Sequence, residues 1–173
     1  MRKVILGLAV SLDGFIEGPA GEYDWCFTDQ DYGMSDFFKH VDSVFIGRKS
    51  YELTQTLDES AMAGFPKLKE YVFTTTLKKV KPGAVIVNGN IEEEVRKIKG
   101  DSGKDIWLFG GASLTSSLLN LHLIDEIWLS VHPLLLGSGK PLFNEIKNRI
   151  PLTLIHSKTY STGLVSLTYK LNN

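Results

Sequence analysis

Residues 105–119 read DIWLFGGASLTSSLL, in which an apolar run passes through Gly110 and Gly111 into a run typical of a helix. Aromatic and β-branched residues favour a strand before the glycines, and the residues after them favour a helix. Two glycines at this junction leave backbone N–H groups open to a phosphate, because no Cβ stands in the way. We therefore expect an anion site here, although two glycines can also serve only as a turn.

Short β-rich runs alternate with helical runs around this stretch, which predicts βαβ units and a mainly parallel sheet. The predicted strands span residues 3–10, 43–46, 69–74, 84–87, 105–109 and 124–131. The predicted helices span residues 33–41, 48–57, 91–99 and the run after Gly111. Residues 152–160 and 164–171 flank a Ser-Thr-Gly turn, which predicts an antiparallel hairpin at one edge. The expected fold class is α/β, a mostly parallel central sheet flanked by helices with a C-terminal antiparallel hairpin.

The composition narrows the range of functions. A chain of 173 residues with 43% hydrophobic residues and no linker-like stretch is expected to form a single domain over residues 1–173. A net charge of −1 disfavours binding to nucleic acid or to an anionic membrane, and no apolar run reaches the roughly 18 residues needed to cross a bilayer. With Cys26 as its one cysteine and no recognisable secretory leader, a cytoplasmic protein is expected. The four histidines show no ligand spacing, so we predict no metal.

Residues able to do chemistry follow several predicted strands, at the edge where open α/β sheets bind ligands. Asp13 follows the first strand and could orient a polar substrate, although Asp before Gly also favours a local turn. A glycine, two cations and a hydroxyl follow the strand at 43–46, and the alternative to a phosphate site there is a solvated first helical turn. These residues are Gly47, Arg48, Lys49 and Ser50.

Weaker signals come from three other places. Thr74 and Thr75 carry hydroxyls that either bond a phosphate or ribose, or simply satisfy the loop backbone. The segment 133–143 joins apolar residues to a glycine-flanked turn with a lysine, which either approaches a ligand or changes the chain direction. Trp107 and Trp128 lie within predicted strands, so core packing is the favoured interpretation for both.

Four motifs in this order resemble the dihydrofolate-reductase-like superfamily: Ser11–Gly14, Gly47–Glu52, Gly110–Ala112 and Leu136–Phe143. The resemblance spans nearly the whole chain. Residues 11–14 and 125–143 are more similar to the C-terminal reductase domain of the riboflavin-biosynthesis deaminase-reductase than to typical dihydrofolate reductase. This branch implies NADPH lying across the carboxyl ends of the strands, and Trp25 resembles a tryptophan of these reductases that we expect to contact substrate.

The resemblance also implies a role for each matched residue. One group would bind phosphates: Gly47, Arg48, Lys49 and Ser50. Thr74 and Thr75 would lie near the adenosine ribose and its 2′-phosphate. A helix N-terminus would hold the pyrophosphate through Gly110, Gly111, Ala112, Ser113 and Leu114. A cation beside the threonines, with no acidic residue directly after them, favours NADPH over NADH.

The implied reaction transfers a hydride from NADPH to a pyrimidine-, pterin- or ribosylamino-pyrimidine-type small molecule, with Asp13 orienting the substrate. Typical dihydrofolate reductases carry a carboxylate on the first helix, where this chain has Met34. Asp36 follows two positions later, about 200° around the helix, and should point elsewhere. Asp31 replaces the acid only if the helix starts earlier. The chain has no Cys/His cluster that could hold a deaminase zinc, so only the reductase half is resembled.

Two other functions stay open at this point. A non-catalytic NADP-binding or sensor protein would keep the cofactor cleft and lack turnover, and a divergent dihydrofolate reductase would reduce dihydrofolate with an unusual acid. The apolar strand at 127–131 and the terminal hairpin could also supply a homodimer interface, as the resemblance suggests. The expected partner is otherwise a small heterocyclic substrate.

Overall fold

The computed structural model describes residues 1–57 and 64–172. The strands are β1 (Val4–Ser11), β2 (Phe15–Glu17), β3 (Val41–Gly47), β4 (Lys69–Phe73), β5 (Val85–Val87), β6 (Asp105–Gly110), β7 (Glu126–His132), β8 (Lys140–Pro141), β9 (Leu152–Thr159) and β10 (Val165–Leu171). The helices are α1 (Met34–His40), α2 (Arg48–Thr54), α3 (Ile91–Gly100) and α4 (Ala112–Asn120).

Eight strands form one sheet in the order β5-β4-β3-β6-β1-β7-β10-β9. The six strands from β5 to β7 are parallel, and β10 pairs antiparallel to β7 and to β9. The α/β fold class and the terminal hairpin are therefore confirmed. Because the parallel strands share one direction, the chain leaves β1, β3, β4, β5, β6 and β7 at the same edge, which we call the carboxyl edge.

Helices cover both faces of this sheet. On one face, Leu6, Phe45 and Leu108 are fully buried in a core cluster that includes residues of α3 and α4. On the other face, α1 packs through Phe37 and Phe38 against Val41, Val44 and Trp107. The helix α2 contributes Tyr51 to a smaller cluster with Ile46 and Val72 on this second face. Buried strands with both faces covered explain the near-continuous apolar runs of the parallel strands.

Two helices begin where side chains satisfy their first N–H groups. The Asn90 side chain accepts hydrogen bonds from the backbone of Glu92 and Glu93 at the start of α3. One Asp31 carboxylate oxygen accepts from the backbone N–H of Ser35 at 2.9 Å and from its hydroxyl at 2.6 Å, at the start of α1. By contrast, α4 begins at Gly111 with no side-chain cap.

The structure differs from the sequence prediction in short elements and element ends. The strands β2 and β8 pair antiparallel as a small second sheet, which the sequence did not predict. The helix α2 ends at Thr54, three residues before the predicted end. Within the described part of the chain, none of the helices is long and apolar enough to span a membrane.

Candidate active site

A cavity of about 490 Å³ opens at the carboxyl edge, and we call it the polar cavity. It lies where β3, β4, β5 and β6 end, and residues after each of these strands line it. The lining includes every residue predicted to bind the cofactor except Gly110: Gly47, Arg48, Lys49, Ser50, Thr74, Thr75, Gly111, Ala112, Ser113 and Leu114. Segments that lie far apart in the sequence thus meet around one opening, and cofactor binding by them stays a prediction.

The glycine pair shapes one wall of the polar cavity. Gly110 is buried with a φ of 107°, a conformation that favours glycine, and the peptide bond to Gly111 is cis. A Cβ on Gly111 would lie 3.2 Å from the Ser50 hydroxyl, so the junction of β6 and α4 approaches α2 closely. The uncapped first turn of α4, which has no acidic residue, adds N–H groups at this wall.

Three cations line the polar cavity, and no carboxylate is among the described lining residues. Arg48 forms an ion pair with Glu52 at 2.9 Å, and Lys140 forms one with Glu17 at 3.1 Å. Lys49 is exposed and has no ion pair with a described residue within 4.0 Å. A glycine-lined wall, a free helix N-terminus and this positive charge together fit a nucleotide that carries phosphates.

The two predicted threonines have different environments. The Thr74 hydroxyl is buried and accepts hydrogen bonds from the backbone N–H groups of Thr76 and Leu77 at 3.1 and 3.0 Å. Its oxygen therefore stabilises the loop after β4, the commoner role for such a hydroxyl. Thr75 is exposed at the cavity, where its hydroxyl is open to a ligand.

A second cavity of about 550 Å³ lies between the second face of the sheet and α1, and we call it the aromatic cavity. Its aromatic lining residues are Phe27, Tyr32, Phe38, Phe65, Trp107, Phe109 and Trp128. Gly7 lies between the two tryptophans on the central strand β1 and leaves room for both indoles. Trp107 and Trp128 were expected to pack in the core; Trp107 is buried there, whereas Trp128 is half-buried and stacks on Phe37, and both line this cavity.

Both cavities lie near the end of β6. Phe109 lines the aromatic cavity and Gly111 lines the polar cavity, and residues two apart in a chain lie within about 7 Å of each other. Phe109 is an extra residue in the pairing with β3, since Phe45 pairs with Leu108 while Ile46 pairs with Gly110. Such a bulge is typical of strand ends beside functional sites. The end of β6 therefore brings a residue of each cavity close to the other.

Asp13 lies outside the described lining of both cavities. Its carboxylate accepts hydrogen bonds from the Ser11 hydroxyl at 2.6 Å and from the backbone N–H groups of Leu136 and Gly137 at 3.1 and 2.8 Å. The hydrogen bond from Ser11 lowers the pKa of this carboxyl, with a smaller contribution from the two amides. Asp13 therefore connects the loop after β1 to the loop after β7, and substrate orientation by Asp13 stays a prediction.

Trp25 lies beside the aromatic cavity without lining it, whereas its neighbours Cys26 and Phe27 do line it. The Trp25 ring packs edge-on against the buried ring of His132, with centroids 5.3 Å apart, and its buried indole nitrogen has no hydrogen-bond partner among the residues that the structure describes. His132 Nε2 accepts from the backbone N–H of Phe27 at 3.1 Å, so Nδ1 carries the proton and donates to the Ser130 carbonyl. Burial lowers the pKa of His132, which is therefore neutral.

The residues considered for the position of the catalytic acid lie in different places. Asp31 and Met34 line the aromatic cavity, but Asp36 is exposed and pairs with Lys39 at 2.7 Å. The hydrogen bond from the Ser35 hydroxyl lowers the pKa of Asp31, so this carboxylate is ionised at neutral pH. Burial raises the pKa of the Cys26 thiol to about 11 and also raises the pKa of Tyr32. No group of three or more potential metal ligands occurs among the residues that the structure describes.

Sequence reasoning did not assign several lining residues. Lys140 lines the polar cavity from the small second sheet, and Asn88 and Gly89 line it from the loop after β5. The glycine-flanked lysine was a visible signal for Lys140, but nothing in the sequence showed that β8 pairs with β2. The ends of the parallel strands did indicate the edge at which Asn88 lies.

The fold is that of the dihydrofolate-reductase-like proteins. The structure is similar to dihydrofolate reductase from Enterococcus faecalis complexed with NADP(H) and RAB-propyl, with a TM-score of 0.69, 14% identity and coverage of 99% of this chain and 97% of that one. It is also similar to a diaminohydroxyphosphoribosylaminopyrimidine deaminase/5-amino-6-(5-phosphoribosylamino)uracil reductase from Thermotoga maritima, with a TM-score of 0.73, 16% identity and coverage of 98% and 56%. Identities this low show the fold alone.

The sequence then places the chain within this class. Residues 2–166 match the RibD C-terminal domain family, and the chain belongs to that family. It is 46% identical over 180 residues to the uncharacterized protein YyaP of Bacillus subtilis (strain 168), covering 99% of this chain and 96% of that protein. The resemblance to the superfamily and to the riboflavin-type reductase domain is therefore confirmed.

Proposed function

We propose that this protein is an NADPH-dependent reductase that transfers a hydride to a small heterocyclic molecule. One observation carries the proposal: all but one of the predicted cofactor-binding residues, from segments far apart in the sequence, line one cavity, and an aromatic cavity lies near it at the end of β6. Membership of the RibD C-terminal domain family and the fold shared with NADP(H)-bound dihydrofolate reductase support it.

The polar cavity would hold the phosphates of the cofactor. The first turn of α4 offers N–H groups to the pyrophosphate, and Lys49 and Arg48 offer positive charge to the 2′-phosphate, beside the open hydroxyl of Thr75. When bound, NADPH supplies a hydride, which with one proton reduces a C=N or C=O bond and leaves NADP⁺. The acceptor would lie in the aromatic cavity, where the rings exclude water and fix the plane of a flat molecule.

The proton would come from water rather than from a side chain. Among the described residues that line the aromatic cavity, Asp31 is ionised, His132 is neutral with both ring nitrogens hydrogen-bonded, and the pKa of Cys26 lies far above neutrality. None of these groups has a pKa suited to donating a proton near neutral pH. Asp13 would act by keeping the loop at 136–137 in place.

The proposal includes a homodimer that forms through β9. This strand lies at the sheet edge, all eight of its residues are exposed, and Leu154 and Ile155 are each 50% exposed. An exposed edge strand with apolar side chains is a template for pairing, and a second copy would meet it around a two-fold axis. The hairpin of β9 and β10 is thus the candidate interface.

The decisive experiment is a fluorescence titration with NADPH and with NADH, using the wild type, Gly111→Asp and Gly100→Asp. We expect tight NADPH binding that Gly111→Asp abolishes, because the new carboxylate meets Ser50 and the pyrophosphate. Gly100→Asp adds the same charge at the end of α3, outside the described lining of both cavities, and should bind like the wild type. Absence of NADPH binding to the wild type would refute the reductase proposal.

A further inference from the structure

The two cavities differ in charge. The polar cavity contains Arg48, Lys49 and Lys140, whereas no lysine or arginine is among the described residues that line the aromatic cavity. The charged lining residue of the aromatic cavity is Asp31, whose ionised carboxylate is exposed and accepts hydrogen bonds from Gly33 and Ser35. His132 adds no positive charge because burial keeps it neutral. The described lining of the aromatic cavity therefore carries no positive charge.

The residues outside the described lining add little positive charge to the aromatic cavity. Residues 58–63, which lie outside the described part, read DESAMA and contain no cation. Lys158 is the nearby cation that acts on Asp31, but its ammonium lies 4.8 Å from the centroid of the Tyr160 ring, and Lys158 is exposed outside the lining. Lys39 on α1 is paired with Asp36 on the solvent side.

The uncharged side chains of the aromatic cavity remain to recognise a ligand. Both indole N–H groups of the cavity are already used, since Trp107 donates to the Gly7 carbonyl and Trp128 donates to the Ser166 hydroxyl. The two indoles therefore offer ring faces and edges to a ligand, while Gln30 and Thr28 offer an amide and a hydroxyl. These groups suit a flat ring with a few hydrogen-bonding atoms.

We propose that the aromatic cavity takes an uncharged, planar heteroaromatic molecule that carries no phosphate or carboxylate group. An anion beside these rings would find no compensating cation in the described lining, and the ionised Asp31 would repel it. The substrate would therefore differ from a phosphoribosylamino-pyrimidine, the type of substrate named for the Thermotoga maritima protein. This inference rests on the proposed function in taking the aromatic cavity as the site of the hydride acceptor.

The test compares two pterins of nearly the same shape, 6-hydroxymethylpterin and pterin-6-carboxylate. Their dissociation constants are measured by fluorescence at neutral pH, with and without saturating NADP⁺. We expect the uncharged pterin to bind at least about tenfold more tightly, a difference of about 1.4 kcal/mol. Equal affinity, tighter binding of the carboxylate, or no binding of either pterin below about 1 mM would overturn the proposal.

Two variants locate the effect. Thr28→Lys places a cation at the aromatic cavity and should improve binding of the carboxylate, while Ser102→Lys adds the same charge in the loop between α3 and β6 and should not. No gain in Thr28→Lys would count against the charge argument. The NADPH titration separates the two proposals. Preference for the uncharged pterin without NADPH binding would refute the reductase and keep this inference. NADPH binding together with a preference for the carboxylate would keep the reductase and refute this inference.

Discussion

The indole nitrogen of Trp107 donates a 2.7 Å hydrogen bond to the carbonyl oxygen of Gly7, and a Cβ on Gly7 would lie 3.0 Å from the same nitrogen. Glycine is thus required by the close approach of a ring on β6 to the backbone of β1. The same Cβ would lie 3.3 Å from the Trp128 ring, so one small residue sets the positions of both indoles.

Gly7→Ala should therefore destabilise the protein by about 1–3 kcal/mol, the usual effect of overpacking a close-packed site. Urea denaturation measures the loss. Gly100→Ala is the matched control, because its new Cβ meets no atom within 4 Å at the end of α3. Similar losses in the two variants would show that Gly7 is not constrained by the indoles.

Lys49→Gln should weaken NADPH binding about tenfold, since a charge-assisted hydrogen bond contributes roughly 1.5 kcal/mol. NADH lacks the 2′-phosphate, so its affinity should change by less than about twofold. Titrations of both nucleotides measure this, and Lys97→Gln on the exposed side of α3 serves as the control. An equal loss for the two nucleotides would place Lys49 elsewhere on the cofactor.

Asp13→Asn should speed hydrogen exchange at the backbone N–H groups of Leu136 and Gly137, because the amide cannot accept from both as the carboxylate does. In the wild type, the lowered pKa means that the carboxylate stabilises the loop above the unfolded pKa of about 3.9 and loses that effect as pH falls through the folded pKa. Exchange measured by mass spectrometry, with Asp24→Asn as control, tests this. Unchanged exchange at both amides would show that Asp13 does not hold the loop.

His132 should make the fold more sensitive to acid. Because its folded pKa is lowered below 6.5 by burial, the unfolded chain binds more protons as pH falls, and stability decreases from about pH 6.5 downward. Denaturation of the wild type and His132→Gln at pH 5.5 and 7.5 compares the two slopes. The glutamine variant should lose less stability between these values, and equal pH dependence would exclude His132 as the cause.

Leu154→Lys should convert a dimer into a monomer, because it places a charge on the exposed strand β9. Leu135→Lys makes the same substitution at a leucine that is 71% exposed in the loop after β7, and it should leave the assembly unchanged. Light scattering after size exclusion gives the mass directly. A monomeric wild type would refute the dimer.

The longer elements and the order of the motifs could be predicted from the sequence, because parallel strands covered on both faces produce continuous apolar runs. The strands β2 and β8 are too short, at three and two residues, for any periodicity to show. Trp107 is buried, as its place in a strand predicts, but the sequence gives no sign of which neighbours its ring meets. That position depends on the pairing of β6 with β1, which residue types alone do not determine.

Asp13 shows another limit of sequence reasoning. The Asp-Gly pattern was consistent with a substrate contact or with a local turn. In the structure, the Asp13 carboxylate instead accepts hydrogen bonds from backbone amides 123 and 124 positions away. Such a connection forms because the two loops follow strands that are neighbours in the sheet. It becomes visible only after β1 and β7 are known to be adjacent.

The polar and aromatic cavities share none of their described lining residues, although Phe109 in β6 lines one and Gly111, directly after β6, lines the other. A mutation in α1 or β7 can therefore change which ring system fits without altering a residue of the other cavity. New substrate preferences could evolve by one or two substitutions at a time in such a protein, while the nucleotide half stays constant. The same separation allows an engineer to randomise the aromatic lining as a library on an unchanged scaffold.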